Sequence, residues 1–197
     1  MKFANTIRTL AAACAFAATA HASAAPILLV DNGILTGANG VDVGGTLYNV
    51  TFADGSCNSL FNGCVQSAFA FDTFADASQA AQALLDQVYV DSSAGQFKSI
   101  TSIIRGCVSE SQCSSIIPYS LSETGAYVVW ATNNASGSQF VSNWEFDYGA
   151  WDSTNSPPIH YAIFQLAPPS ADMPEPTSIA LFGLAMAGLA FNRRRKV

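Results

Sequence analysis

Cations are scarce in this sequence. It holds 8 Lys and Arg in 197 residues, and six of them (Lys2, Arg8, Arg193, Arg194, Arg195 and Lys196) sit near the two ends. Between the ends, only Lys98 and Arg105 stand against 13 of the 14 acids, all but Glu175. Residues 25–173 therefore carry −11 where the whole chain carries −6. So acidic a stretch has no basic patch with which to hold phosphate backbones, which excludes nucleic acid as a partner. It also excludes polyanions unless divalent cations bridge. Histidine is almost missing: His21 and His160 are the only two. There is no Gly-x-Ser-x-Gly elbow to make a nucleophile of a serine. There is no EF-hand spacing and no two-residue cysteine spacing of the zinc-knuckle kind. No internal repeat occurs, so the 149 residues from 25 to 173 form one domain with room for a sizeable core.

What is present lies first at the ends. Lys2 and Arg8 begin a basic segment, Leu10 to Ala20 is small and apolar, and Ala22-Ser23-Ala24 supplies small residues at a cleavage site. These are the three zones of a secretory signal peptide. The expected cut follows Ala24, with Ala22 the next choice. Near the other end, Pro168 and Pro169 open a linker that runs to Pro174-Glu175-Pro176. Each proline there removes a donor and restricts the residue before it, so this spacer is extended. The uncharged run Thr177–Phe191 follows, and then Arg193, Arg194, Arg195 and Lys196. As a helix, its 15 residues span about 22 Å, short of the roughly 30 Å hydrocarbon core. Bilayer thinning or snorkelling cations close the gap. The terminal cations favour the cytoplasmic side.

This order of parts resembles the PEP-CTERM sorting signal of bacterial exported proteins. The matching residues are Pro174, Glu175 and Pro176, then Leu181, Gly183, Leu184, Gly188 and Leu189, then Arg193 to Arg195. The resemblance implies processing by an exosortase, a membrane transpeptidase-like protease that removes the helix near the triplet. It further implies a Gram-negative bacterium that makes exopolysaccharide. The expected partners are signal peptidase, exosortase, exopolysaccharide and, before cleavage, the membrane. The expected destination is the cell envelope, outer surface or extracellular matrix, after transient anchoring in the inner membrane. Four segments follow: a signal peptide over 1–24, an exported domain over 25–167, a linker over 168–176 and a sorting helix over 177–197. The stretch VDVGGTLYNVTFADGSC, with LFNGC and AAQALLDQVYVD after it, is similar to a pattern in other exported PEP-CTERM proteins without assigned function.

Four cysteines remain once Cys14 leaves with the signal peptide: Cys57, Cys64, Cys107 and Cys113. An even count in an exported chain favours disulfides, with three connectivities open. The two local bridges are preferred, since each staples a loop rich in Ser, Asn and Gly. No metal site and no cofactor are expected, because His160 is far from either pair in sequence.

Periodicity gives an α+β domain: a mostly antiparallel sheet of five or six strands and one main helix. Ile27–Val30 is a short apolar run before the turn Asp31-Asn32-Gly33. Residues 36–45, with four glycines, read as a loop. Residues 46–52 alternate, and residues 69–74 read as a short aromatic strand. Asp76 with Gln79 forms a capping box for a helix over roughly 77–89. Residues 92–123 are Ser-rich and read as mostly loop. Residues 126–132 and 139–148 form a hairpin across Asn133–Gly137 with Phe140, Trp144, Phe146 and Tyr148 inward. Residues 159–166 are the last strand.

The densest acids are Glu145, Asp147 and Asp152. Glu145 and Asp147 share one strand face, and two carboxylates flanking a sugar bond suit glycosidase chemistry. The same group with Asn155 offers hard oxygens for calcium. Trp130, Trp144, Trp151 and Tyr148 offer flat faces for sugar rings, and Trp151 is expected to be exposed. His160 is expected at the surface or hydrogen-bonded. A plain solvated face is the preferred account of these acids, and ordinary core packing that of Trp144. The expectation is a non-enzymatic exported protein. A carbohydrate- or calcium-binding module is the alternative, and a glycoside hydrolase is further removed.

Overall fold

A computed structural model describes residues 25–123, 125–144 and 151–168. Both chain ends lie outside them, with Ala22, Ala24, the Pro174-Glu175-Pro176 triplet and the terminal arginines. So do Glu145, Asp147 and Tyr148. No helix among the described residues is long and apolar enough to cross a membrane.

The first three strands form a meander. β1 (Ile27–Asp31) turns at Asn32-Gly33 into β2 (Ile34–Val43), which turns at Gly44-Gly45 into β3 (Thr46–Ala53). Both turns need two successive residues at positive φ: 50° and 83° in the first, 60° and 90° in the second. Asn-Gly and Gly-Gly meet that demand cheaply. The expected loop over 36–45 is therefore strand up to Val43, with a turn only at Gly44-Gly45. Its glycines serve the sheet: a Cβ on Gly37 would lie 2.1 Å from the Val50 carbonyl. Gly40 sits at a break in the β2–β3 register, where its N–H donates to Asn49 Oδ1.

A one-turn helix α1 (Cys57–Leu60) and the main helix α2 (Phe74–Gln87) follow. Thr73, not Asp76, caps α2, and the Asp76 N–H donates to its hydroxyl. The helix thus starts three residues before expectation, and Asp76 occupies the third helical position. The expected strand over 69–74 is absent. Phe69 and Phe71 point into different clusters, because the chain there passes from one face of the sheet to the other. A small hairpin, β4 (Asp91–Ser92) with β5 (Gly95–Gln96), leads to the second cysteine loop.

The expected loop over 92–123 contains a long strand, β6 (Gln112–Leu121). It pairs antiparallel with β7 (Ala126–Asn134), which pairs with β8 (Gln139–Trp144). The last strand, β9 (Ile159–Leu166), lies antiparallel to β3 and parallel to β6. The result is one seven-stranded sheet in the order β1-β2-β3-β9-β6-β7-β8. The architecture is a small α+β domain, mostly sheet with one main helix.

Alternation sorts the two faces. Val50, Phe52, Ile117, Val129, Ala162 and Phe164 meet Ala77, Ala81, Leu84 and Leu85 of α2. The run of alanines lets the helix lie close to the strands. On the other face Ile116, Val128 and Tyr161 meet Cys57, Phe61, Cys64 and Phe69. Phe140, expected inward, is 47% exposed on the edge strand β8.

Candidate functional site

The parallel register Ser115↔His160 brings together side chains far apart in sequence. Both residues point toward α2, and both are fully buried. Tyr89, two residues past the end of α2, drops its ring beside Phe52 and its hydroxyl onto this pair. His160 Nε2 lies 2.6 Å from Ser115 Oγ and 3.2 Å from Tyr89 OH. The Tyr89 and Ser115 hydroxyls also hydrogen-bond each other. On the opposite side of the ring, His160 Nδ1 lies 3.2 Å from Cys107 Sγ and 3.6 Å from Cys113 Sγ. Those two cysteines are bonded to each other, with Cα atoms 5.5 Å apart. Cys57 and Cys64 are likewise bonded, at 5.0 Å.

Burial pushes the His160 pKa down to about 3, so the ring is neutral across the physiological range. Burial also raises the Tyr89 phenol, a shift the Ser115 hydrogen bond opposes. Behind the ring, Gly106 adopts φ +81°, and a Cβ there would lie 2.6 Å from His160 Cβ and 2.7 Å from Asp54 Oδ1. Asp54 accepts from Ser153 Oγ at 3.3 Å, and burial raises its pKa. A serine hydroxyl within 3 Å of a histidine is the geometry of an activated nucleophile. Such chemistry requires that a substrate reach the oxygen. Here Tyr89, Ser115 and His160 are each 0% exposed, and the thiols are tied up with each other. As folded, the cluster is a satisfied polar network within the core. Sequence reasoning missed it, because only the strand pairing joins residues 89, 107, 113, 115 and 160.

The C-terminal tail settles a different question. Residues 174–196 match the family model of the PEP-CTERM protein-sorting motif. The chain carries a PEP-CTERM sorting motif. It marks an exported protein that is transiently anchored in the membrane by its C-terminus and processed by an exosortase. The match covers only the tail and leaves the folded domain unassigned. No curated protein and no solved structure matches the chain.

The folded domain ahead of the PEP-CTERM motif places the other expected residues as follows. Asp152 is exposed and caps the short turn Ser153–Asn155, its Oδ1 accepting from the Thr154 N–H at 2.9 Å. Those Thr154 contacts hold its carboxyl below the usual range. Trp151, expected exposed, is half-buried and packs with Trp130 against the second cluster. Contact with that cluster explains the difference: the Asp152–Ser56 bridge draws the segment onto α1. Trp144 ends β8 opposite Val128. Of the two settings expected for His160, the structure has the hydrogen-bonded one, in the core and not at the surface. Two open grooves mark the outside. One, of about 630 Å³, is lined by Ala25, Pro26, Asp42, Asp86, Gln87 and Val90. The other, of about 290 Å³, is lined by Thr46, Tyr48, Phe71, Asp72, Asp76 and Gln79. Among the described residues each groove carries two carboxylates and no cation, in keeping with the domain's charge.

Proposed function

We propose that the protein is a non-enzymatic component of the cell envelope or of an exopolysaccharide matrix. In this reading residues 1–24 are removed on export, residues 25–167 do the work, and residues 177–197 are an address discarded after use. The observation that carries it is the sorting motif over 174–196, placed directly after the folded domain. The buried state of the Ser115–His160–Tyr89 cluster supports a binding or structural role over a catalytic one. Among matrix sugars, the charge of −11 over residues 25–173 favours neutral ones, or anionic ones bridged by divalent cations.

Intact-mass measurement on the protein from its native host tests the reading. The expected species begins at Ala25 and lacks residues 177–197, and it co-fractionates with the polysaccharide. A mature species that keeps residues 177–197 refutes removal of the address. A protein that stays in the same fraction when polysaccharide synthesis is deleted refutes the matrix role.

A further inference from the structure

We propose that the Cys107–Cys113 bridge is the closed form of a zinc site, which a dithiol reductant opens. Cys107, Cys113 and His160 come from the second cysteine loop, the start of β6 and the start of β9. Their ligand atoms all lie within 4.8 Å of one another, and all three residues are buried. Zinc binds thiolate at about 2.3 Å and imidazole at about 2.0–2.1 Å in tetrahedral array. Those lengths require each sulfur to stand about 3.5 Å from the ring nitrogen. The observed separations, 3.2 and 3.6 Å, already meet that requirement. Only the two sulfurs must move apart, to about 3.8 Å, as a tetrahedral pair of zinc–sulfur bonds demands.

The surroundings of the ring point the same way. Two hydroxyls, Ser115 Oγ and Tyr89 OH, crowd Nε2, while the two sulfurs flank Nδ1. With Nε2–H donating to Ser115, the Nδ1 lone pair faces the sulfurs. A ring N–H held by a fixed acceptor, with the other nitrogen free to ligate, is how metal-binding histidines are oriented. The Pro158 carbonyl oxygen lies 3.7 Å from Cys107 Sγ and accepts from the Ser114 N–H at 2.7 Å. The Cys57–Cys64 pair is a contrast, since its cluster partners are Phe61, Phe69 and Tyr161.

The chemistry balances. A dithiol, admitted by local opening of the second cysteine loop, gives two electrons and two protons to the bridge, becomes a disulfide itself, and leaves two thiols. Zinc(II) then displaces both thiol protons, and two thiolates cancel its charge. The core thus gains no net charge, which favours a divalent soft ion over a monovalent one.

The test uses the protein from its host, reduced with a phosphine and kept free of oxygen. Zinc ion alone is titrated against a chromophoric chelator. One zinc per chain is expected, bound at least about 100-fold more tightly than by the oxidised protein. The Cys57→Ser/Cys64→Ser variant should bind as the parent does. Cys113→Ser should lose the site, and Ser115→Ala should weaken it by about 10- to 100-fold. X-ray absorption at the zinc edge, on the unmutated protein, should show two sulfurs and one nitrogen. A sulfur-free shell, a four-sulfur shell, equal binding by the oxidised form, or a reduced chain that stays unfolded with stoichiometric zinc would each overturn the proposal.

Discussion

The two cysteine bridges span nearly the same length of chain, 7 and 6 residues, yet they lie on opposite faces of one sheet in unlike surroundings. Each has a glycine at positive φ just before one of its cysteines, Gly63 before Cys64 and Gly106 before Cys107. By loop-closure entropy alone the two are equivalent, at about 2 kcal/mol each. What differs is what each one touches. Cys57–Cys64 packs on phenylalanines, and Gly63 faces open space. Cys107–Cys113 packs on the ring nitrogen of a buried histidine, and Gly106 is wedged against His160 and Asp54. One sequence device, a glycine-cysteine staple, thus serves as a clip on carbon in one place and as part of a polar core in the other.

The widest gap between them should appear when the sulfurs are removed. Cys107→Ala/Cys113→Ala is expected to cost about 3–5 kcal/mol, the loop term plus about 1–3 for a buried nitrogen left without its neighbours. Cys57→Ala/Cys64→Ala should cost only the loop term of about 2 kcal/mol. Urea unfolding of both measures the gap, and equal costs would erase the distinction. A narrower test replaces the glycines. Gly106→Ala should cost about 3 kcal/mol, since a clash adds to backbone strain, against about 1 kcal/mol for Gly63→Ala. Melting temperatures rank the two.

Acid sharpens the comparison further. The unfolded chain takes up a proton at His160 near pH 6.5, whereas the folded ring stays neutral down to about pH 3. Within that window the unfolded state binds more protons, so stability falls as pH falls, by about 1.4 kcal/mol per unit. Denaturation midpoints between pH 6.5 and 4.5 should show this slope. The His160 ring resonances should not titrate there, and those of Phe61 and Phe69 should not move. A ring that titrates near pH 6 would mean that the cluster is open to water.

Local rules made part of this legible. Ala77, Ala81, Leu84, Leu85 and Val88 repeat at helical spacing and mark the helix, and β-branched and aromatic runs over 46–52, 126–132 and 159–166 mark three strands that the structure has to within two residues. The failures share a physical cause. β6 hides behind Ser114 and Ser115, polar residues that read as loop until Thr132 and His160 are seen to satisfy them. β2 hides behind Gly37, whose role is a close approach to β3, and Gly40, which sits at a break in register. The helix start was misplaced because a threonine caps as well as an aspartate. Of the candidate cluster, only the cysteines were singled out as a set. His160 joins them through the parallel β6–β9 register, which no spacing along the chain encodes.

The position of β9 has a consequence in time. The last strand of the domain is the middle of the sheet, bonded to β3 more than a hundred residues earlier and to β6 on its other side. Until residues 159–166 have left the export channel, the meander and the β6–β8 group have no shared edge to close on. Pairings between such distant parts of a chain are slow to form. The two halves of the sheet therefore share only α2 at first, and the sheet closes only when nearly all of the domain is outside. The sorting motif then follows within ten residues of the strand that locks it.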